Sequence, residues 1–250
     1  MLHLKVPKLK NPNIVFRVTT NPEQIKQANN LVLHNYFDVG LWADSDEFAH
    51  NLYIHSPART CFVAMDGDHV IATASTVRDG VIGLPADKFQ PLAIDKLRSL
   101  DERMAEITAL AVDHDSNHDR GLILFLYAFI FQYNFFYAGI DRLVASTTER
   151  HARFYESIFG FHRLSAAAEY YYVKLKVQLL TIHLICDRLA LAQRYQIERE
   201  HARPCPNNFY HFLLTQEHDC FEYPDPGLMR RARNIDWLLR ARHFGMALAV

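Results

Sequence analysis

Apolar and polar positions follow two different periods along the first 177 residues. Ile14–Thr19 (IVFRVT) alternates and predicts a short strand. Thr20-Asn21-Pro22-Glu23 then has the form of a helix start: a capping residue, a proline in the first turn and an acid near the positive end of the dipole. Ile25, Ala28, Leu31, Val32 and Tyr36 keep helical spacing to about Phe37, and Gly40 ends the run. Thr60–Met65 and Val70–Val77 are two strand-like runs joined by Asp66-Gly67-Asp68-His69, a hairpin turn. Asp79–Pro91 reads as a loop and Ile94–Arg103 as a short helix. Glu106–Asp113 (EITALAVD) is an apolar strand ending in the polar cluster Asp113–Asp119. A helix over Arg120–Tyr137, a strand at Arg142–Thr147, a helix over Glu149–Ile158 stopped by Gly160, and one or two strands within Phe161–Val177 complete the pattern. From Gln178 to Ala202 the chain is proline-free and amphipathic, and Leu228–Val250 alternates arginines with apolar residues like a surface-docked helix.

The expectation is a mixed α/β (α+β) domain over 1–177, with a central sheet flanked by helices, followed by an all-helical C-terminal extension over 178–250.

Composition bears on what such a domain could do. Half of the 250 residues are apolar, which excludes disorder. The 27 basic and 28 acidic residues form no sustained basic run, so nucleic acid is not an expected partner. Cys61, Cys186, Cys205 and Cys220 share no C-x-x-C spacing and read as thiols of a reducing compartment. The N-terminal stretch has no apolar signal region, which makes the cytoplasm the default. Residues 121–140 carry no charge and meet the length of a membrane span, yet Arg120 and Asp141 flank them closely and strand patterns lie on both sides. A helix buried in a core is the better reading. Eight aromatics fall between Phe125 and Tyr137, where they would fill that core.

Candidate chemistry is sparse. His114 and His118 stand among Asp113, Asp115, Asn117 and Asp119, but His118 occupies the place of a calcium loop's turn glycine and Leu124 that of its closing glutamate. A zinc site lacks a third and fourth ligand, so no metal is expected and the segment reads as a polar connection, with Asp119 capping the next helix. The helix start at Arg120-Gly121 suits a phosphate, although a plain connecting loop explains one glycine equally well. Glu106 opens an apolar strand, where desolvation would raise its pKa toward that of a useful base; an edge glutamate facing water is the plainer alternative. His151 and Tyr155 share a helix face at i, i+4 and either could carry protons.

Four stretches stand in order along the chain: Leu31-Val32 through Tyr36 to Gly40, Gly83-Leu84-Pro85-Ala86-Asp87 followed by Leu97-Arg98, Ala105-Glu106-Ile107-Thr108-Ala109-Leu110-Ala111-Val112, and Arg150-His151-Ala152-Arg153-Phe154-Tyr155. Together they resemble the long-chain N-acyl amino acid synthase family, acyltransferases of the GNAT fold related to acyl-homoserine-lactone synthases. The resemblance covers about residues 14–177. It implies a GNAT-like mixed sheet and transfer of a long-chain acyl group from a thioester, on the phosphopantetheine of acyl carrier protein or on CoA, to the α-amine of an amino acid. By the same likeness Glu106 is the base; Tyr155 and His151 remain catalytic candidates from their shared helix face. Backbone N–H groups at Leu110, Ala111 and Val112 would hold the thioester carbonyl, and Arg120 with Gly121 the donor's phosphate.

The departures are informative. His118-Asp119-Arg120-Gly121 keeps one glycine of the CoA-binding loop, which favours a carrier-protein donor with its single phosphate. Thr148-Glu149 replaces the expected Asn-Pro, and Ala109 stands where lactone synthases carry an arginine, against a lactone product. Arg59, Arg78 and Arg153 are unranked candidates for an acceptor carboxylate. Arg230, Arg231, Arg233, Arg240 and Arg242 are the candidate patch for an acidic carrier protein or a peripheral membrane contact. Some of the 120–137 aromatics would line an acyl-chain tunnel. A CoA-dependent small-acyl N-acetyltransferase and a non-catalytic acyl-sensing module are the alternatives.

Overall fold

The computed structural model describes residues 5–38, 51–114, 120–164, 168–172, 177–201, 209–227 and 229. One nine-stranded mixed sheet organises them, in the order β6-β8-β5-β4-β3-β2-β1-β9, with β7 also paired to β8. The strands are β1 (Val15–Thr19), β2 (Arg59–Asp66), β3 (His69–Arg78), β4 (Met104–Val112), β5 (Arg142–Thr148), β6 (His162–Arg163), β7 (Ala168–Tyr172), β8 (Val177–Asp187) and β9 (Phe221–Glu222). Among the described strands only β4–β5 and β1–β9 pair in parallel. The helices are α1 (Pro22–Asp38), α2 (Pro91–Arg98), α3 (Arg120–Gln132, continued as a π turn to Tyr137), α4 (Glu149–Phe154, continued as a π turn to Phe159), α5 (Arg188–His201) and α6 (Phe209–Leu214).

Local chemistry accounts for the boundaries. Asn21 Oδ1 accepts hydrogen bonds from the N–H groups of Glu23 and Gln24, at 2.9 and 3.3 Å, so α1 starts where the capping pattern places it. The second helix starts earlier than its apolar spacing suggests, at Pro91, whose fixed φ suits a first helical position. Gly160 closes the turn after α4 in the left-handed conformation, φ 71°.

The aromatic helix is a core helix. Among the described residues no helix is long and apolar enough to cross a membrane. Tyr127, Phe129 and Phe131 are fully buried: Phe129 packs on Phe62 of β2 and on Tyr223, its neighbour Phe125 on Phe212 of α6, and Tyr127 and Phe131 on Phe159. The two polar interruptions of this run are both satisfied. Gln132 accepts from the Tyr223 hydroxyl and donates to the Gln216 carbonyl, while Asn134 donates to Ile130 and accepts from Thr76.

The expected extension needs correcting at its start. Residues 177–187 are not helical but form β8, which runs antiparallel to the whole of β5, from Thr148↔Thr181 to Arg142↔Asp187. The helix begins only at Arg188, where Asp187 Oδ1 caps the N–H groups of Leu189 and Ala190. An apolar run such as Leu179–Cys186 does not reveal by periodicity alone whether it is strand or helix. A further correction is β9, a strand in the part expected to be all helix. The sheet therefore crosses the 177/178 boundary. The arginines at 230–242, the 114–119 cluster beyond His114, Gly40 and Cys205 lie outside the described residues. Cys61, Cys186 and Cys220 are free thiols, and among the described residues no three metal-ligating side chains cluster.

Candidate active site

Glu106 lies in the middle of the sheet rather than at an edge. It pairs with Val77 of β3 on one side and Val144 of β5 on the other, and is 2% exposed. The alternative of a water-facing edge residue is thereby removed. Its carboxylate has two partners: the Ala86 N–H donates to Oε2 at 2.7 Å and the Ser146 hydroxyl to Oε1 at 2.8 Å. Burial raises its pKa to about 7, against these two donors, which lower it, and with a smaller push upward from the Asp87 charge.

The donor at residue 86 comes from a turn built by the Gly83–Asp87 motif. Gly83 has φ +68°, and a Cβ there would sit 2.4 Å from Asp87 Oδ2. The space this leaves lets Asp87 Oδ2 accept the Leu84 N–H at 2.7 Å, closing a short helical turn over Pro85–Lys88. Arg98 of α2 clamps the turn. Its guanidinium forms two hydrogen bonds to Asp87 and two to Asp79, at 2.6–2.8 Å, and a fifth to Asp95. Burial alone would raise the Asp87 carboxyl, but Arg98 and the Leu84 N–H outweigh it and hold it low. Two motifs 20 residues apart thus form one device that aims a backbone N–H at Glu106.

Beyond Glu106 the sheet opens. The β4–β5 ladder runs from Met104↔Arg142 to Ile107↔Ala145 and stops, although β4 continues to Val112 and β5 to Thr148. The β3–β4 register explains the divergence. Between Thr73↔Ala111 and Ser75↔Thr108, β4 holds one residue more than β3, and Ala109 takes φ 53°. Ala111 and Val112 stay paired to β3, while Leu110 is half-buried. The expected donor-binding residues therefore stand on the wall of a wedge between two strands. Gly121 is buried in the first turn of α3; the side chain of Arg120 lies outside the described residues.

His151 and Tyr155 are not joined to Glu106 by a hydrogen bond. His151 is exposed and its Nδ1 meets the Thr148 hydroxyl at 3.2 Å. Tyr155 is buried and shares a short hydrogen bond with the Tyr127 hydroxyl of α3; burial raises its pKa. Arg78 and Arg153 are exposed, whereas Arg59 lines a cleft of about 60 Å³ on the Glu106 face of the sheet. Tyr53, Ser75, Pro85 and Thr108 also line it, and none of the α3 aromatics does.

Two donors to Glu106 and one buried neighbour lay beyond the reach of the sequence. The Ala86 N–H is a backbone group, visible only once its turn is folded. Ser146 occurs in the strand pattern RLVAST, but no spacing rule connects it to a residue 40 positions earlier. His183 of β8 stands directly opposite Ser146, is 2% exposed, and neither ring nitrogen has a hydrogen-bond partner. Burial lowers its pKa and it packs 5.7 Å from the Phe89 ring.

Comparisons with known proteins bear on the family and the fold. The family model described as "N-acyl amino acid synthase FeeM" matches residues 27–183. Among solved structures, that of FeeM, an N-acyl amino acid synthase from uncultured soil microbes, is similar at 25% identity and a TM-score of 0.60, covering 70% of this chain and 89% of that one. Spermidine N-acetyltransferase from Vibrio cholerae, in complex with CoA and spermine, is similar at 14% identity and a TM-score of 0.48, covering 71% and 97%. No curated protein matches the chain.

Proposed function

Since the chain belongs to the FeeM family of N-acyl amino acid synthases, and so to the acyltransferases, we propose that it transfers a long-chain acyl group from the thioester of acyl carrier protein to the α-amine of an amino acid. The observation that carries the reading is Glu106: a buried carboxyl, gripped by two donors, with a pKa near 7.

An α-ammonium group is no nucleophile until it loses a proton. Glu106 accepts that proton, directly or through one water, at neutral pH. The amine nitrogen then attacks the thioester carbon, and the carbonyl becomes an oxyanion that the N–H groups of Leu110 and Val112 stabilise where β4 leaves β5, the Ala111 N–H facing β3. Collapse breaks the C–S bond, the amide nitrogen releases its second proton, and the departing thiolate takes one up. Burial keeps Tyr155 a neutral phenol, so we assign it that last donation; exposed His151 is the second candidate. The start of α3 at Arg120-Gly121 receives the phosphate of the donor arm. A single glycine there suits a carrier protein better than the pyrophosphate of CoA.

The test is product formation. The purified protein is incubated with long-chain acyl carrier protein, acyl-CoA of several lengths and acetyl-CoA, each with mixed amino acids, and N-acyl products are read by mass spectrometry. Long-chain N-acyl amino acids from the carrier protein are the expected result. Products from acetyl-CoA alone would overturn the long-chain reading, and equal use of acyl-CoA would overturn the donor assignment. No product from any donor would leave the acyl-sensing module as the better account.

A further inference from the structure

The Arg59 cleft has a charge that the catalytic scheme above leaves unused. We propose that Arg59 binds the carboxylate of the acceptor, so that the enzyme selects amines bearing a carboxylate on the neighbouring carbon. This rests on the transferase reading of the same site and names the feature by which it recognises its acceptor.

Placement is the first argument. Arg59, Val77 and Glu106 are register partners in one row across β2, β3 and β4, so their side chains share a face of the sheet. Two strand spacings separate the Arg59 and Glu106 backbones by ~10 Å. Ser75 and Thr108, register partners two residues further along the same face, line the cleft beside that row. Val77, fully buried, forms the floor between Arg59 and Glu106. Tyr53, which lines the cleft, feels the charges of both Asp87 and Glu106, and its hydroxyl donates to the Leu84 carbonyl in the turn that holds Glu106. The cleft and the base are thus neighbours.

The second argument is charge. Arg59 directs Nε at the Ser75 hydroxyl, Nη1 at the Ile54 carbonyl and Nη2 at Asn29 Oδ1, all at 2.9 Å, with Cys61 Sγ at 3.7 Å from Nη2. All four acceptors are neutral. They occupy four of the five N–H groups of an arginine and leave one on Nη1. Among the described residues Arg59 makes no ion pair, whereas Arg98, Arg142, Arg163 and Arg188 each meet a carboxylate. A half-buried cation, immobilised by neutral groups and with its charge uncompensated among the described residues, is prearranged for an anionic ligand. None of the described residues lining the cleft is acidic. Arg78 and Arg153, both exposed, have no such setting.

The experiment compares an amino acid with its primary amide as acceptor, in wild type and in Arg59→Met and Arg59→Lys. Wild type should prefer the free acid. Arg59→Met should lower kcat/KM for the acid ~10–100-fold, the worth of a charge-assisted hydrogen bond, mainly through KM, and leave the amide unchanged. Arg59→Lys should recover part of the preference. Equal losses on acid and amide would make Arg59 a structural tether and overturn the proposal, as would an unchanged preference. Thermal stabilisation by the acid but not by the amide, absent in Arg59→Met, reads the same contact without turnover. A wild type that is stabilised by the acid yet forms no product would refute the transferase reading and still support the carboxylate site. Equal stabilisation by acid and amide would refute the site itself.

Discussion

At the scale of single residues, Glu106 makes the sharpest predictions. Replacing it with Gln should reduce turnover ~100-fold or more, with circular dichroism unchanged, and should abolish a rise in rate centred near pH 7. The same substitution tests stability. The folded protein holds its proton up to pH about 7, against an ordinary value of 4.5. That contribution is complete below the unfolded value and is lost as pH rises through 7. At pH 8 the fold must tolerate a buried carboxylate, an effect of up to ~3 kcal/mol. Glu106→Gln should therefore melt higher than wild type at pH 8 and close to it at pH 5. Parallel melting curves at both pH values would contradict the burial account. His183 makes a different prediction. Two buried ring nitrogens without partners are costly, so His183→Phe, similar in size and packed near Phe89, should keep or raise the melting temperature.

Among the elements, the Gly83–Asp87 turn and its Arg98 clamp matter most. Arg98→Met should destabilise the protein by about 2 kcal/mol, since it strips charge-assisted bonds from Asp79 and Asp87. With the turn loosened, the Ala86 N–H that lowers the pKa of Glu106 is weakened. The midpoint of the pH–rate profile should move upward; a downward shift would contradict the arrangement. Gly83→Ala should act in the same direction, because a left-handed backbone and the nearby Asp87 oxygen both oppose a Cβ.

The ingredients of this turn were legible as a motif, and the Asn21-Pro22 helix start, the 66–69 hairpin and the apolar 106–113 strand were legible by pattern. Their meeting was not. A hydrogen bond from residue 86 to residue 106 depends on how a loop packs over a sheet, which no local period encodes. The same limit hid β8. The apolar and polar order of 178–187 suits a helix face and a buried strand alike, and only the ladder to β5 decides between them.

For the molecule as a whole, β8 ties the later part of the chain to the acyltransferase sheet. Truncation after residue 177 should leave β5 without its partner and Cys186, Ile185 and Leu184 out of the core, and the product should not fold cooperatively by circular dichroism or calorimetry. Truncation after residue 208 should be milder. The sheet order from β1 to β8 survives it, while loss of α6 and β9 uncovers the rings of Phe125 and Phe129. That variant should bind a hydrophobic dye and aggregate on warming.

The pairing of β1 with β9 also sets a timetable for biosynthesis. Phe16 lies beside Phe221, and its N–H bonds to the Cys220 carbonyl, across more than two hundred residues of intervening chain. On the ribosome, the edge of β1 stays uncapped, and the aromatic helix stays uncovered, until the residues of α6 and β9 have been translated. Local hairpins can form early, but closure of that edge has to wait. The vulnerable period therefore lasts until β9 is made, and a pause in translation just before codon 220 should lower the yield of folded protein more than one placed after codon 150.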